Sequence, residues 1–205
     1  MTQKAKWKRK LILQGAASVF IRKGYNATTM QDIVEECGIS RGGLYLYFDS
    51  TETIFYTLLM ENSQSMELDF IHMMAESQSF REIMECFFDE QRAELIHAEQ
   101  SMMTATYEFF LTHKSEQDKR FLQEQYDRSV TSLLRVLEYG VARNEVRFHD
   151  PEQIVRHIIL SIEGIRIYTV SVGVSHSMIE GQIEMLKSLV MGFELRFGMQ
   201  EDSEC

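Results

Sequence analysis

The amino-acid sequence predicts an all-α protein, on three observations. There is one proline, Pro151, and only 11 glycines in 205 residues; apolar residues recur at helical spacing; and the period-two alternation bounded by turn clusters that marks a sheet is missing. The composition, 44% apolar and 25% charged, is that of an ordinary globular chain with room for one good core or two modest domains. No apolar run approaches the roughly 18 to 20 residues that span a bilayer, and no signal-type apolar core follows the opening MTQKAKWKRK. A cytoplasmic protein is therefore expected. Cys37, Cys86 and Cys205 are widely spaced and form no CxxC, so they indicate neither a disulfide framework nor a thiolate zinc site.

Charge divides the chain. Up to Phe48 there are eight Lys/Arg against three acids, a balance of +5, so the remainder carries −15 of the total −10. A basic N-terminal module on an acidic body is the pattern of a polyanion-binding head.

The elements follow in order. Ile12, Ala16, Val19 and Phe20 share one helical face, with Arg22 and Lys23 in the last turn and Gly24 as a stop. Thr29 precedes Asp32 by three residues, a capping-box spacing, and opens a short helix that ends at Cys37-Gly38. Ser40 is an N-cap candidate for a third helix, with Ile39 and Leu44 placed as a hydrophobic staple. Asp49 and Glu52 resemble a further capping box at the head of a long fourth helix. Helical stretches are expected at about 80 to 98, 100 to 113 and 116 to 143. Asp150-Pro151 is an N-cap followed by proline at the first helical position. The helix after it carries Ile154, Ile158, Ile162 and Ile165, and a last one, after a break from Gly173 to Ser177, carries Ile179, Ile183, Leu186, Val190, Phe193 and Phe197.

Helix, glycine turn and short helix make a helix-turn-helix, whose later helix enters the DNA major groove. Within ISRGGLYLYF, residues 39–48, Leu44 and Phe48 face inward, while Gly42, Gly43, Tyr45 and Leu46 are expected to face out, with Tyr47 beside them. The paired glycines let backbone approach base edges. Arg41 can grip guanine or phosphate, Leu46 suits the thymine methyl, and Tyr45 and Tyr47 can donate to phosphate oxygens. Thr28, Thr29, Ser40 and the Lys4-to-Lys10 arm, Lys6 and Lys10 included, complete the expected DNA contacts.

The stretch from about Leu11 to Leu58, centred on GYNATTMQDIVEECGISRGGLYLYFDSTETI, resembles the DNA-binding domain of the TetR family of bacterial transcriptional regulators. The matching positions are Gly24-Tyr25, Thr28-Thr29, Ile33, Gly38-Ile39-Ser40, Leu44-Tyr45 and Tyr47-Phe48. The resemblance implies a homodimer that binds double-stranded operator DNA through residues 1–48 and a small-molecule effector through residues 49–205. It implies most often a repressor released by its ligand, with no cofactor. Two positions depart from the family pattern: Thr51 stands where lysine is usual, and Gly43 where a hydroxyl or methyl-bearing residue is usual.

In the body, seven of the 13 methionines lie between Met60 and Met103, close to a run of aromatics. Met66, Phe87, Met103, Tyr107, Phe110 and Glu163 are the expected pocket residues, with Phe88, Phe109 and Arg166 as further candidates. Ile158, Ile162, Ile165, Ile183, Leu186, Val190 and Phe193 are the expected dimer interface. Two other readings stay open. Glu94 and His97 form an ExxH, with Asp69 and His72 a DxxH, the beginnings of a metal-carboxylate bundle enzyme; but a di-iron site needs two ExxH motifs and two further glutamates. The other is a ligand-binding bundle whose reading head is impaired at Thr51 and Gly43. No catalytic motif is present, and neither catalysis nor a bound metal is expected.

Overall fold

A computed structural model describes residues 2–192, and all described regular structure is helical. The helices are α1 (Gln3–Lys23), α2 (Met30–Cys37), α3 (Arg41–Tyr45), α4 (Thr51–Ala75), α5 (Phe80–Ile96), α6 (Met103–Thr112), α7 (Glu116–Ala142), α8 (Pro151–Val172) and α9 (His176–Met191), with a 3₁₀ turn at Ala98–Gln100. The all-α expectation holds, and most helix ends lie where local hydrogen bonding puts them. Thr29 and Asp32 form a reciprocal capping box, Ser40 Oγ accepts from the Gly43 N–H, and Asp150 Oδ1 accepts from the Gln153 N–H. Gly24 and Gly38 take φ of 76° and 60°, backbone that glycine alone adopts readily. At the head of α4 the cap is Ser50, which accepts from the Thr53 N–H, and not Asp49. Asp49 instead accepts from the Thr53 hydroxyl at 2.5 Å.

Two apolar clusters organise the chain. In the head, Ile12, Ala16, Val19, Phe20, Ile33, Leu44 and Phe48 close over the first three helices. The same cluster takes in Ile54 and Phe55 of α4 and Ala105 and Phe109 of α6, so the expected boundary at 48/49 falls inside it. The body cluster joins α5, α7, α8 and α9 through Phe80, Phe88, Leu133, Val136, Val155, Ile158, Ile183 and Val190. Helices α5 and α7 meet closely at Gly140, where an added Cβ would lie 2.7 Å from the Phe80 ring. Hydrogen and a bare backbone are what let α7 seat against the start of α5.

The interface expectation needs correcting here. Ile158, Ile162, Ile183, Leu186 and Val190 are buried in the chain's own body core. Ile165 is half-buried beside them, and Phe193 lies outside the described residues. A hydrophobic stripe on a helix shows which face is covered but not by which neighbour, and here α5 and α7 cover it. The apolar residues left exposed on these helices are different: Leu160, Tyr168 and Val172 on α8, Met178, Met185 and Leu189 on α9.

Candidate DNA-reading surface and effector cavity

Ser40 caps α3 with its side chain, and Leu44, buried completely, anchors the helix on the head core. That orients Arg41, Gly42, Tyr45 and Leu46 to the outside. Leu46 is 83% exposed, an unfavourable placement for a leucine with no partner and a useful one for a groove-reading residue. The Arg41 guanidinium lies over the Tyr45 ring at 5.7 Å, so the first and last side chains of α3 pack on one another on its exposed side.

Three expected contacts sit elsewhere. Gly43 is buried: a Cβ there would meet Ser40 Oγ at 3.0 Å and Lys8 Nζ at 3.7 Å. Its missing side chain makes room for the cap and for a lysine from α1. Tyr47 is half-buried against the head core. Thr28 is only 7% exposed, and its hydroxyl donates to the Gly24 carbonyl at 2.6 Å, locking the α1–α2 turn and leaving nothing for a phosphate. Thr29 is exposed, but its side chain is engaged in the α2 capping box. For Gly43→Thr we therefore expect the crowded cap to cost the head about 0.5–2 kcal/mol, read as a lower melting temperature, with no gain in DNA affinity. Tighter binding with unchanged sequence preference would instead make Gly43 a missing contact.

The basic charge is selective. Arg9 pairs with Glu61 at 2.7 Å, Arg22 with Glu36 at 2.8 Å and Lys23 with Asp32 at 2.7 Å. The Lys23 hydrogen bond, with those of Thr29, holds the Asp32 carboxyl at about 2. Lys4, Lys6, Lys8, Lys10 and Arg41 have no ion pair among the described residues. Trp7, 64% exposed among those lysines, belongs to the same arm. Its only signal in the sequence is a tryptophan set in KAKWKRK.

In the body, α4, α5, α6, α7 and α8 enclose a cavity of ≈ 850 Å³. Met66, Met103, Tyr107, Phe110 and Glu163 are among the residues that line it. Phe87 is not: it packs against Phe70 and Phe88 in the body core, and Phe109 packs in the head core. Gln91 and Tyr126, which the sequence reading missed, line the cavity too. Both have helical spacing indistinguishable from ordinary packing positions.

One wall is polar. Arg166 donates through Nη1 to Glu163 at 2.9 Å and through Nη2 to Glu94 at 2.5 Å and Gln91 at 2.7 Å. Tyr107 donates its hydroxyl to the other Glu163 oxygen at 2.5 Å. Burial, followed by the Glu163 charge, pushes the Tyr107 phenol well up, so it remains a donor at neutral pH. Burial alone would lower the Arg166 value, but the Glu94 and Glu163 charges outweigh it and the net direction is upward. Arg166 thus pairs within its own chain. Glu94 is committed to that pairing, while His97, which ends α5, is exposed. His72 faces Glu76 at 3.2 Å. Among the described residues no group of three or more His, Cys, Asp or Glu is arranged to hold a metal ion.

Between head and cavity lies a joint that carried no sequence signal of its own. The Glu108 carboxylate accepts from the Asn26 N–H at 3.1 Å and fills the space beside Gly24, where a Cβ would meet it at 2.6 Å. Phe109 packs edge-on to Tyr25 at 4.7 Å and stacks on His113 at 4.1 Å. Tyr56 donates its hydroxyl to the buried Asp118 carboxylate, which this bond and the Ser115 cap hold below the usual range. Helix α6 therefore presents Met103, Thr106, Tyr107 and Phe110 to the cavity, and Ala105, Glu108 and Phe109 to the head.

A capped, outward-facing short helix on a basic head, joined to a helical body with a large cavity, is the arrangement of a helix-turn-helix transcriptional regulator. Residues 12–57 match the family described as bacterial regulatory proteins, tetR family, and residues 83–180 match the tetracyclin repressor-like C-terminal domain. The chain is 33% identical over 164 residues to the HTH-type transcriptional regulator YfiR of Bacillus subtilis, covering 79% of this chain and 80% of that protein. Over 60 residues, 29% of this chain and 32% of the relative, it is 35% identical to the icaADBC biofilm operon negative transcriptional regulator IcaR of Staphylococcus epidermidis. A TetR transcription regulator from Haloarcula marismortui shares the fold with a TM-score of 0.74 at 16% identity, covering 93% of this chain and all 100% of that one. A second, from Agrobacterium tumefaciens, has a TM-score of 0.71 at 17% identity, with 90% and 98% covered. The chain belongs to the TetR family; it is a DNA-binding transcriptional regulator and not an enzyme. No described helix is long and apolar enough to cross a membrane.

Proposed function

We propose that this chain acts in the cytoplasm as a homodimeric repressor, holding a palindromic operator with two copies of α3 and releasing it when a small molecule occupies the body cavity. The carrying observation is the double duty of α6, whose alternate faces line the cavity and the head core. Helix α4 does the same, with Ile54 and Phe55 in the head and Leu59 and Met66 at the cavity. A ligand that moves Tyr107 or Phe110 pushes on the same rigid helix that carries Glu108 and Phe109. Close-packed cores transmit such shifts because their side chains have no slack to absorb them. The head then tilts, and two reading helices set about 34–36 Å apart for successive major grooves lose their register.

The dimer surface in this reading is the exposed stripe of α8 and α9. Leu160, Tyr168 and Val172 recur every fourth residue around the open Gly164, opposite Met178, Met185 and Leu189. Selection of sequences from a random DNA pool with the full chain at low salt tests the proposal. Enrichment of a two-fold symmetric site with half-site centres about 10 base pairs apart is expected. A selected site without two-fold symmetry, or no enrichment, would overturn it.

A further inference from the structure

The cavity wall says what kind of molecule fits, provided the cavity is the effector site proposed above. Four carboxylates line it, Asp69, Glu90, Glu94 and Glu163, against two cations, Lys119 and Arg166. Both cations already have carboxylate partners. Lys119 is exposed and pairs with Glu116 at 2.7 Å, and both terminal nitrogens of Arg166 are engaged by Glu94, Gln91 and Glu163. Arg166 is nevertheless an imperfect occupant of the space between Glu94 and Glu163. Its Nε–H is buried with no hydrogen-bond partner among the described residues, an unmade bond that weakens its hold on that position. The same lining holds Tyr107, bonded to Glu163, with Phe110, Tyr126, whose ring already carries the Arg156 guanidinium at 5.7 Å, and the flexible Met66 and Met103.

We infer that the effector is an apolar organic cation, whose charged centre settles against Glu94 and Glu163 while its hydrocarbon bulk packs on Tyr107, Phe110 and Tyr126. The cation joins or displaces the Arg166 guanidinium as partner of the two carboxylates. Because Tyr107 and Phe110 belong to α6, accommodating it moves the helix that meets the head.

The test uses two ions that share four phenyl groups and differ in the sign of the central charge. Full-length chain is titrated calorimetrically with tetraphenylphosphonium and with tetraphenylborate at one ionic strength. The phosphonium is expected to bind about tenfold or more tightly than the borate, since like charge against the two carboxylates is penalised. Glu163→Gln should weaken the phosphonium about fivefold or more, and Arg166→Gln, which removes the competing cation, should strengthen it. Ser129→Trp, which puts an indole into the lining and narrows the cavity, should weaken it about fivefold or more.

Equal or tighter binding of the borate in the unsubstituted chain overturns the inference without any variant having to fold. If that borate binding is weakened in Ser129→Trp, the cavity survives as the effector site and only the charge class falls. Phosphonium binding unchanged in Ser129→Trp places the ligand elsewhere and overturns both readings. Binding of neither ion overturns the cation assignment.

Discussion

Phe109→Ala is expected to lower the unfolding free energy by about 3–5 kcal/mol, a large part of the roughly 5–15 kcal/mol available to a domain of ordinary stability. Phe109 is fully buried and touches the rings of Tyr25, Phe55, Tyr56, Phe110 and His113, so truncation empties the middle of the aromatic joint between head and body. Neighbours from α4, from α6 and its C-cap, and from the α1–α2 turn cannot collapse together into the space. Urea denaturation at fixed protein concentration should show the midpoint falling with an unchanged slope. Among folded molecules, DNA release by ligand should weaken as well, because α6 no longer grips Tyr25. A loss under about 1 kcal/mol would mean that the joint is loosely packed and that α6 is no lever.

The second large effect is electrostatic. Lys4, Lys6, Lys8, Lys10 and Arg41 are the cations of the head without a carboxylate partner among the described residues, and two copies of the chain would bring ten to one operator. With about 6–10 of them on phosphates, affinity should drop roughly 10³–10⁵-fold between about 50 and 200 mM salt as condensed counterions are no longer released favourably. Fluorescence anisotropy of a labelled operator across that range measures the slope. Lys6→Gln or Lys10→Gln should reduce it by about one per contact removed, weakening all sequences alike, whereas Arg41→Ala should also relax base preference. A change of less than about tenfold over the same range would remove the N-terminal arm from the interface.

The body's net negative charge is compatible with this, because charge is resolved in space and not only in sum. Lys23 and Arg22 at the end of α1 neutralise acids of α2, so they hold the head together instead of facing DNA. Surface pairs of this kind contribute little stability individually, but they decide which cations remain available.

What could be read from the chain alone was whatever depends on a few neighbouring residues. Ser40, the Thr29–Asp32 box, Gly24, Gly38 and Asp150-Pro151 set helix ends through hydrogen bonds three or four residues long, and each is found where the spacing puts it. The inward face of the reading helix, Leu44 and Phe48, follows from the same short-range periodicity. Asp49 was the exception, since Ser50 lies one residue away and offers the Thr53 N–H an equally suitable oxygen.

What only the tertiary structure decided is which partner each side chain meets. Thr28 looked like a phosphate contact until the Gly24 carbonyl came within 2.6 Å of its hydroxyl, and Gly43 looked outward until Lys8, 35 positions earlier in the chain, came to lie beside it. Ile158 and Ile183 share an apolar stripe that reads the same whether a sister subunit or the chain's own α5 and α7 cover it. Glu94 and Arg166 are 72 residues apart, and no local pattern announces their pairing. Helix formation is governed by interactions along the chain and is legible there; the cavity, the joint and the interface depend on contacts between helices, which appear only when the chain has folded.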